Sequence, residues 1–195
     1  IVFWGEDQYK RSLSFKELKQ QVASLSQYFR ENDVKAGDVV AGFMPNMPEA
    51  VIAMLATTSI GAVWTSCSPD FGVQGVLDRF GQVKPKLLIT SNAYFYNGKT
   101  HDCLDKIQTI RDSIDSIKNT VVVPYANEST LNNSTSYPQI LNDYIETEIE
   151  YTRMSFNAPL YIMYSSGTTG VPKCIVHGIN ISCCQHCNYS SIRTW

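Results

Sequence analysis

Short apolar runs alternate with longer amphipathic stretches along most of this chain. The runs predict buried strands and the stretches predict helices: strands at 39–44, 63–66, 87–91, 120–124 and 160–164, and helices at 48–60, 73–83 and 104–117. Regular alternation of strand and helix is the pattern of a layered α/β domain. The sequence therefore predicts a layered α/β fold with a mostly parallel sheet flanked by helices.

The first thirty residues contain the clearest helix signal. Ser14 and Glu17 have the spacing of a capping box, which satisfies free backbone N–H groups where a helix begins. Apolar residues then recur every three or four positions and predict one buried stripe, consisting of Phe15, Leu18, Val22, Leu25 and Phe29. Two short strands are predicted before this helix. Trp4 and Trp64, each flanked by apolar residues, are predicted to lie in the core.

Three further features receive structural interpretations. Residues 125–137 are rich in Asn, Ser and Thr and predict a flexible surface loop. His101 is predicted to open a helix as an exposed residue of its first turn. Asp78 and Arg79 are predicted to form a pair on a helix surface rather than to act in catalysis.

Composition narrows the class of protein. The net charge is −2 and no cluster of Lys or Arg is present, which argues against nucleic acid as the main partner. No run approaches the roughly eighteen apolar residues of a membrane span, and the first residues lack the pattern of a signal peptide. The expected location is therefore the cytoplasm.

The segment from Tyr164 to Lys173 collects hydroxyls, glycines and one ammonium between two apolar runs. Glycines let backbone N–H groups turn toward an anion, hydroxyls donate to phosphate oxygens, and a lysine supplies a point charge. The order Gly-x-x-Gly-x-x-Lys differs from a Walker A loop, and Pro172 favours an extended chain that leads into a strand at 174–176. An ordinary turn rarely needs this combination. We predict a polyphosphate-binding loop formed by Ser165, Ser166, Gly167, Thr168, Thr169, Gly170 and Lys173.

This loop resembles the signature loop of the adenylate-forming (AMP-binding) acyl-CoA synthetases. The Ser-Pro-Asp-Phe-Gly segment at 68–72 is similar to the branch of that family that activates acetoacetate rather than acetate, as are Tyr-Asn-Gly-Lys at 96–99 and Pro-Lys-Cys-Ile-Val-His at 172–177. The resemblance continues in the same order up to Gly178. It implies a partial N-terminal domain of an acyl-adenylate-forming enzyme. By themselves, the residues at 68–72 fit a substrate-side loop and an ordinary turn equally well.

The resemblance also implies a two-step reaction. The carboxylate of acetoacetate would attack the α-phosphate of ATP to give an acyl-adenylate and pyrophosphate, and the thiol of CoA would then displace AMP to give acetoacetyl-CoA. The loop would hold the leaving pyrophosphate, with Mg²⁺ sharing its charge. Such a loop acts by positioning and charge stabilisation and needs no general base, since the carboxylate is already ionised. No catalytic side chain and no metal ligand are assigned in this chain.

The family's adenine-contacting segment, ribose-binding aspartate and adenylating lysine lie downstream of the loop and have no counterpart here. The expectation is a fragment, inactive by itself, in which residues 1–178 form a partial AMP-binding domain and residues 179–195 form a divergent tail. The alternative is a non-catalytic nucleotide- or partner-binding remnant of the same fold. The sequence beyond residue 195 would distinguish the two.

Four of the six cysteines lie from residue 174 onward. Cys174-x-x-His177 followed by Cys184-x-x-Cys187 offers ligand types that suit Zn²⁺, but the six residues between the pairs are fewer than in the usual finger loop. A divergent terminus with reduced cytosolic thiols is therefore the preferred interpretation.

Overall fold

The computed structural model describes residues 1–145, 148–166 and 170–180, and the backbone of residues 193–194. In chain order, the elements are β1 (Val2–Gly5), β2 (Tyr9–Ser12), α1 (Phe15–Glu31), β3 (Val39–Phe43), α2 (Pro48–Ser59), β4 (Val63–Cys67), α3 (Val73–Val83), β5 (Leu87–Ser91), β6 (Ala93–Tyr96), β7 (Lys99–Asp102), α4 (Leu104–Ser113), β8 (Asn119–Val123), β9 (Thr135–Ser136), α5 (Tyr137–Asp143), β10 (Pro159–Tyr164), β11 (Cys174–Gly178) and β12 (Arg193–Thr194).

A sheet of eight strands forms the middle layer, in the order β12-β11-β10-β4-β3-β5-β8-β9. Neighbours from β10 to β9 pair in parallel, whereas β11 is antiparallel to both β10 and β12. The pairs β1–β2 and β6–β7 form two separate antiparallel hairpins. The predicted layered α/β fold with a mostly parallel sheet is confirmed.

Helices cover both faces of the sheet because its strands are apolar on both sides. One core contains buried residues of α1, α2 and α5, such as Phe29, Ile52 and Ile140. A second contains residues of α3 and α4, such as Phe80 and Ile107. No helix within the described ranges combines the length and apolar character needed to cross a bilayer.

The predicted capping box opens α1. The Ser14 hydroxyl accepts from the Glu17 N–H at 3.2 Å, and the Glu17 carboxylate accepts from the Ser14 N–H at 2.8 Å. Val22 and Phe29 of the predicted stripe are buried, but Phe15 is 86% exposed. Phe15 occupies the first helical position and lines an open groove with residues of α2 and of the chain near residue 149, so its place in the core was wrongly predicted.

The capping box provides a modest stability prediction. We expect Ser14→Ala to lower the free energy of unfolding by about 1 kcal/mol, because it leaves the Glu17 N–H without its side-chain acceptor. Urea denaturation measures this change. Ser12→Ala, at the exposed end of β2, is the matched control and should have a smaller effect. Equal effects of the two substitutions would show that the cap contributes nothing.

The two tryptophans differ in environment. Trp64 is buried in β4 as predicted, but Trp4 is 65% exposed, with the Lys10 ammonium 4.4 Å from the centre of a Trp4 ring. Trp4 belongs to the peripheral β1–β2 hairpin, which is not part of the main sheet. The prediction of a core position for Trp4 is therefore wrong.

Two segments between the main elements also differ from expectation. His101 lies in the β6–β7 hairpin, stacked on Tyr94 with 4.9 Å between ring centres, and does not open a helix. The predicted loop at 125–137 is anchored by the buried Asn92, whose side chain accepts from the Tyr125 N–H at 2.9 Å and donates to the Asn127 carbonyl at 2.7 Å. Its end forms β9 and the start of α5.

Candidate phosphate-binding site

The carboxyl ends of β4 and β10 place two loops side by side. These strands are parallel neighbours, with Tyr161 opposite Trp64 and Ile162 opposite Thr65. The loop at 68–72 follows β4, and the predicted phosphate-binding loop follows β10. In open α/β sheets, ligands bind in the crevice outside the carboxyl ends of the strands. Both loops therefore lie where a ligand site is expected.

The predicted phosphate-binding loop is closed at its base by two hydrogen bonds. The Ser165 N–H donates to the Lys173 carbonyl at 3.0 Å, and the Lys173 N–H donates to Ser165 Oγ at 3.0 Å. Below them, Tyr164 of β10 pairs with Cys174 of β11. The base is thus a direct continuation of the sheet, which fixes where the chain leaves and returns.

The described part of the loop exposes polar groups. Ser166 and Lys173 are exposed, and Lys173 forms no ion pair with any residue that the structure describes. Gly170 has φ +140°, a conformation that side-chain-bearing residues rarely adopt. The structure thus brings Ser165 and Lys173 together, and Ser166 and Gly170 are exposed on the two arms of the loop. These four residues form the mouth of the loop. The predicted residues Gly167, Thr168 and Thr169 lie outside the described residues.

Tyr164, at the entry of the loop, is held from below. Its hydroxyl is hydrogen bonded to the Thr65 hydroxyl at 2.8 Å, and Thr65 Oγ1 also bonds the Ile162 carbonyl at 3.0 Å. Burial raises the pKa of Tyr164 above its ordinary value, so the phenol stays neutral at physiological pH. Tyr164 is therefore a fixed neutral support for the loop, not an anion that would repel phosphate.

Helix α3 supplies contacts that the sequence did not reveal. The Arg79 guanidinium carbon lies 4.4 Å from the centre of the Phe71 ring and 5.8 Å from that of Tyr164. The predicted surface pair of Asp78 with Arg79 is wrong, because Asp78 accepts instead from the side chain of Gln74 at 2.7 Å. In the sequence, only the aromatic residues at 71 and 164 could have indicated that the Arg79 guanidinium packs against rings.

The described cysteines are buried and unpaired. Burial raises the pKa of Cys67 to about 12 and that of Cys103 to about 11, so neither thiol is a nucleophile at neutral pH. Among the described residues no group of His, Cys, Asp and Glu is arranged to hold a metal ion. Cys184 and Cys187 of the considered zinc pattern lie outside them.

Comparison with known proteins identifies the family to which this chain belongs. The model of the AMP-binding enzyme family matches residues 1–193. This chain belongs to the AMP-binding enzyme family. It is 46% identical over 191 residues to an acetoacetyl-coenzyme A synthetase of Rhizobium meliloti (strain 1021), covering 95% of this chain and 29% of that protein. It is 43% identical over 183 residues to an acetoacetyl-CoA synthetase of Macaca fascicularis, covering 89% of this chain and 27% of that protein.

A solved structure from the same family agrees with the fold. The acetoacetyl-CoA synthetase from Streptomyces lividans superposes with a TM-score of 0.88 at 38% identity, covering 92% of this chain and 28% of that one. The chain thus spans less than a third of the length of each of these relatives.

Proposed function

We propose that this chain supplies the pyrophosphate-binding part of an ATP-dependent acid–CoA ligase. The whole protein would convert acetoacetate, ATP and CoA to acetoacetyl-CoA, AMP and pyrophosphate through an acyl-adenylate. The observation that carries the proposal is the loop after β10, whose closed base lies at the carboxyl edge of the sheet. It presents serine hydroxyls and Lys173, which has no ion-pair partner among the described residues. The likeness to acetoacetyl-CoA synthetases supports the reaction class.

Each part of the loop has a proposed role toward the departing pyrophosphate. The hydroxyls at 165, 166, 168 and 169 donate hydrogen bonds, and the backbone at Gly167 and Gly170 allows N–H groups to turn toward the anion. Lys173 neutralises negative charge. Such fixed donors stabilise charge that develops on the leaving group, and this is the main source of catalysis in phosphoryl-type transfers.

The donors present fit a Mg²⁺-bound polyphosphate. Mg²⁺ is usually held by substrate phosphates with few protein ligands, and it shares their negative charge when bound. The mouth of the loop exposes hydroxyls and one cation. Within the part of the chain that the structure describes, no group of His, Cys, Asp and Glu would hold a metal by itself. We therefore assign ATP and Mg²⁺ to the loop and propose CoA as the substrate of the second step. The buried, unpaired Cys67, Cys103 and Cys174 fit a reducing, cytoplasmic compartment.

A grafted enzyme tests this proposal. Residues 1–178 would replace the matching region of the Streptomyces lividans acetoacetyl-CoA synthetase, to which the fold corresponds with a TM-score of 0.88. We expect the grafted enzyme to form acetoacetyl-CoA and to retain the recipient's ratio of kcat/KM for acetoacetate over acetate within about threefold. Steady-state AMP release with each acid measures both quantities.

Two results would contradict the proposal in different ways. A ratio that falls by at least about tenfold would show that residues of this chain favour acetate and would remove acetoacetate as the substrate. A grafted enzyme that keeps the recipient's melting temperature, and is therefore folded, but has no activity would favour a nucleotide- or partner-binding remnant instead.

A further inference from the structure

Helix α3 contacts the loop after β10 at its exit. The Gln82 side chain lies near the C-terminal end of α3, and its Nε2 donates to the Pro172 carbonyl at 2.8 Å. The same nitrogen donates to the Asp78 carbonyl one turn earlier, at 2.5 Å. Because Pro172 directly precedes Lys173, this contact ties the lysine end of the loop to a rigid helix.

One turn earlier on α3, Arg79 contacts the entry of the same loop. Its guanidinium lies within cation–π range of Tyr164, which precedes the loop, and of Phe71 in the loop after β4. Arg79 Nη1 also donates to the Gly75 carbonyl at 2.7 Å, which fixes the side chain along the helix. Two residues of one helix therefore hold both ends of one loop.

We propose that Gln82 and Arg79 are positioning residues for the phosphate-binding loop. They fix its exit and its entry, so that Ser165 and Lys173 are in place before a nucleotide binds. Donors that are already oriented need no reorganisation during the reaction. This inference rests on the proposed function for the identity of the ligand. The positioning of the loop by α3 does not depend on that identity and is tested separately.

Amide hydrogen exchange on the 195-residue chain, followed by NMR, tests the structural part. Gln82→Leu removes the donor at similar size. Gln74→Leu is the matched control, since among the described residues the Gln74 side chain donates only to Asp78 on the same helix. We expect exchange at the Ser165 and Lys173 amides to become about three- to tenfold faster in Gln82→Leu, the effect of losing one hydrogen bond. The control should leave both rates unchanged. Gln82→Glu, which also lacks the donor, should repeat the result.

Arg79→Lys tests the contact of Arg79 with the two rings independently of Gln82. This substitution keeps the positive charge but loses the planar group that packs on the rings. We expect faster exchange at Ser165, at the entry of the loop, with a smaller effect at Lys173. Unchanged exchange at both amides in the Gln82 and Arg79 variants would overturn the positioning role, whatever the enzyme assay shows.

The functional part is tested in the grafted enzyme. We expect Gln82→Leu to raise the KM for ATP in adenylate formation about three- to tenfold, with a smaller change in kcat and no change in melting temperature. The rate of thioester formation from preformed acyl-adenylate should not change. Faster amide exchange with an unaltered KM for ATP would show that the helix positions a loop that does not hold the phosphates, and would contradict the proposed function instead.

Discussion

In the grafted enzyme, we expect Lys173→Ala to slow adenylate formation by roughly ten- to a thousandfold, the usual cost of removing one group that stabilises charge in the transition state. Lys173 is exposed at the mouth of the loop and unpaired among the described residues, so it is free to neutralise a departing pyrophosphate. Thr168→Ala and Thr169→Ala should act in the same direction, because each removes a proposed hydroxyl donor.

Stopped-flow measurement of the two half-reactions shows whether these effects arise at pyrophosphate. In the proposed reaction, pyrophosphate leaves before the CoA thiol attacks, so thioester formation from preformed acyl-adenylate should change much less than adenylation. Lys16→Ala is the matched control, since Lys16 is an exposed lysine of α1. Equal slowing of both half-reactions by Lys173→Ala would instead indicate an effect on folding or on domain movement.

Among stability changes, we expect the largest from the ion pair between the half-buried Arg11 and the buried Glu49. Glu49 is 3% exposed in the first turn of α2, and Arg11 Nη1 donates to one of its carboxylate oxygens. Burial lowers the pKa of Arg11, but Glu49 and the Tyr9 hydroxyl outweigh it, so this pKa lies above its ordinary value. Arg11→Met leaves the carboxylate buried without its partner. We expect the free energy of unfolding to fall by about 3–5 kcal/mol.

A double-mutant cycle in urea checks the physical reason. Arg11→Met combined with Glu49→Met removes both charges, and the double variant should be more stable than Arg11→Met alone. Lys19→Met breaks an exposed pair with Glu148 at 3.2 Å and serves as the control, with an expected change below about 1 kcal/mol. A double variant less stable than either single variant would show that the cost comes from packing rather than from an unpaired charge.

Most of the main sheet was predictable because β3, β4, β5, β8 and β10 are separate apolar runs, each followed by a helix or a loop. The strand at 39–44 and the helix at 73–83, for example, appear as β3 and α3 with nearly the predicted bounds. The parallel edge strand β9 was not predictable, because its two residues, Thr135 and Ser136, are polar and lie in a segment rich in Asn, Ser and Thr. Periodicity records only which face of an element is apolar. It could not show that the hairpin carrying Trp4 stands apart from the sheet, or that β6 and β7 place His101 against Tyr94.

The candidate site could be proposed from the sequence for a different reason. The hydroxyls, glycines and lysine of the loop are neighbours in the sequence, so their chemistry can be recognised without a fold. The contacts of Gln82 with Pro172 and of Arg79 with Tyr164 join residues about ninety positions apart, and only the packing of α3 against the carboxyl edge brings them together. From the sequence alone, Arg79 was therefore predicted to be a charged residue on a helix surface.

The most direct test of the central claim is an NMR titration of the 195-residue chain with Mg²⁺-pyrophosphate, which needs no grafted enzyme. Saturable chemical-shift changes should be largest at the amides of Ser165, Ser166, Gly170 and Lys173. Lys173→Ala should weaken the binding that these changes report. Magnesium chloride at the same concentration is the control and should produce no saturable changes. Saturable shifts that map to another surface, or no saturable shifts at all, would contradict the claim that this loop binds pyrophosphate.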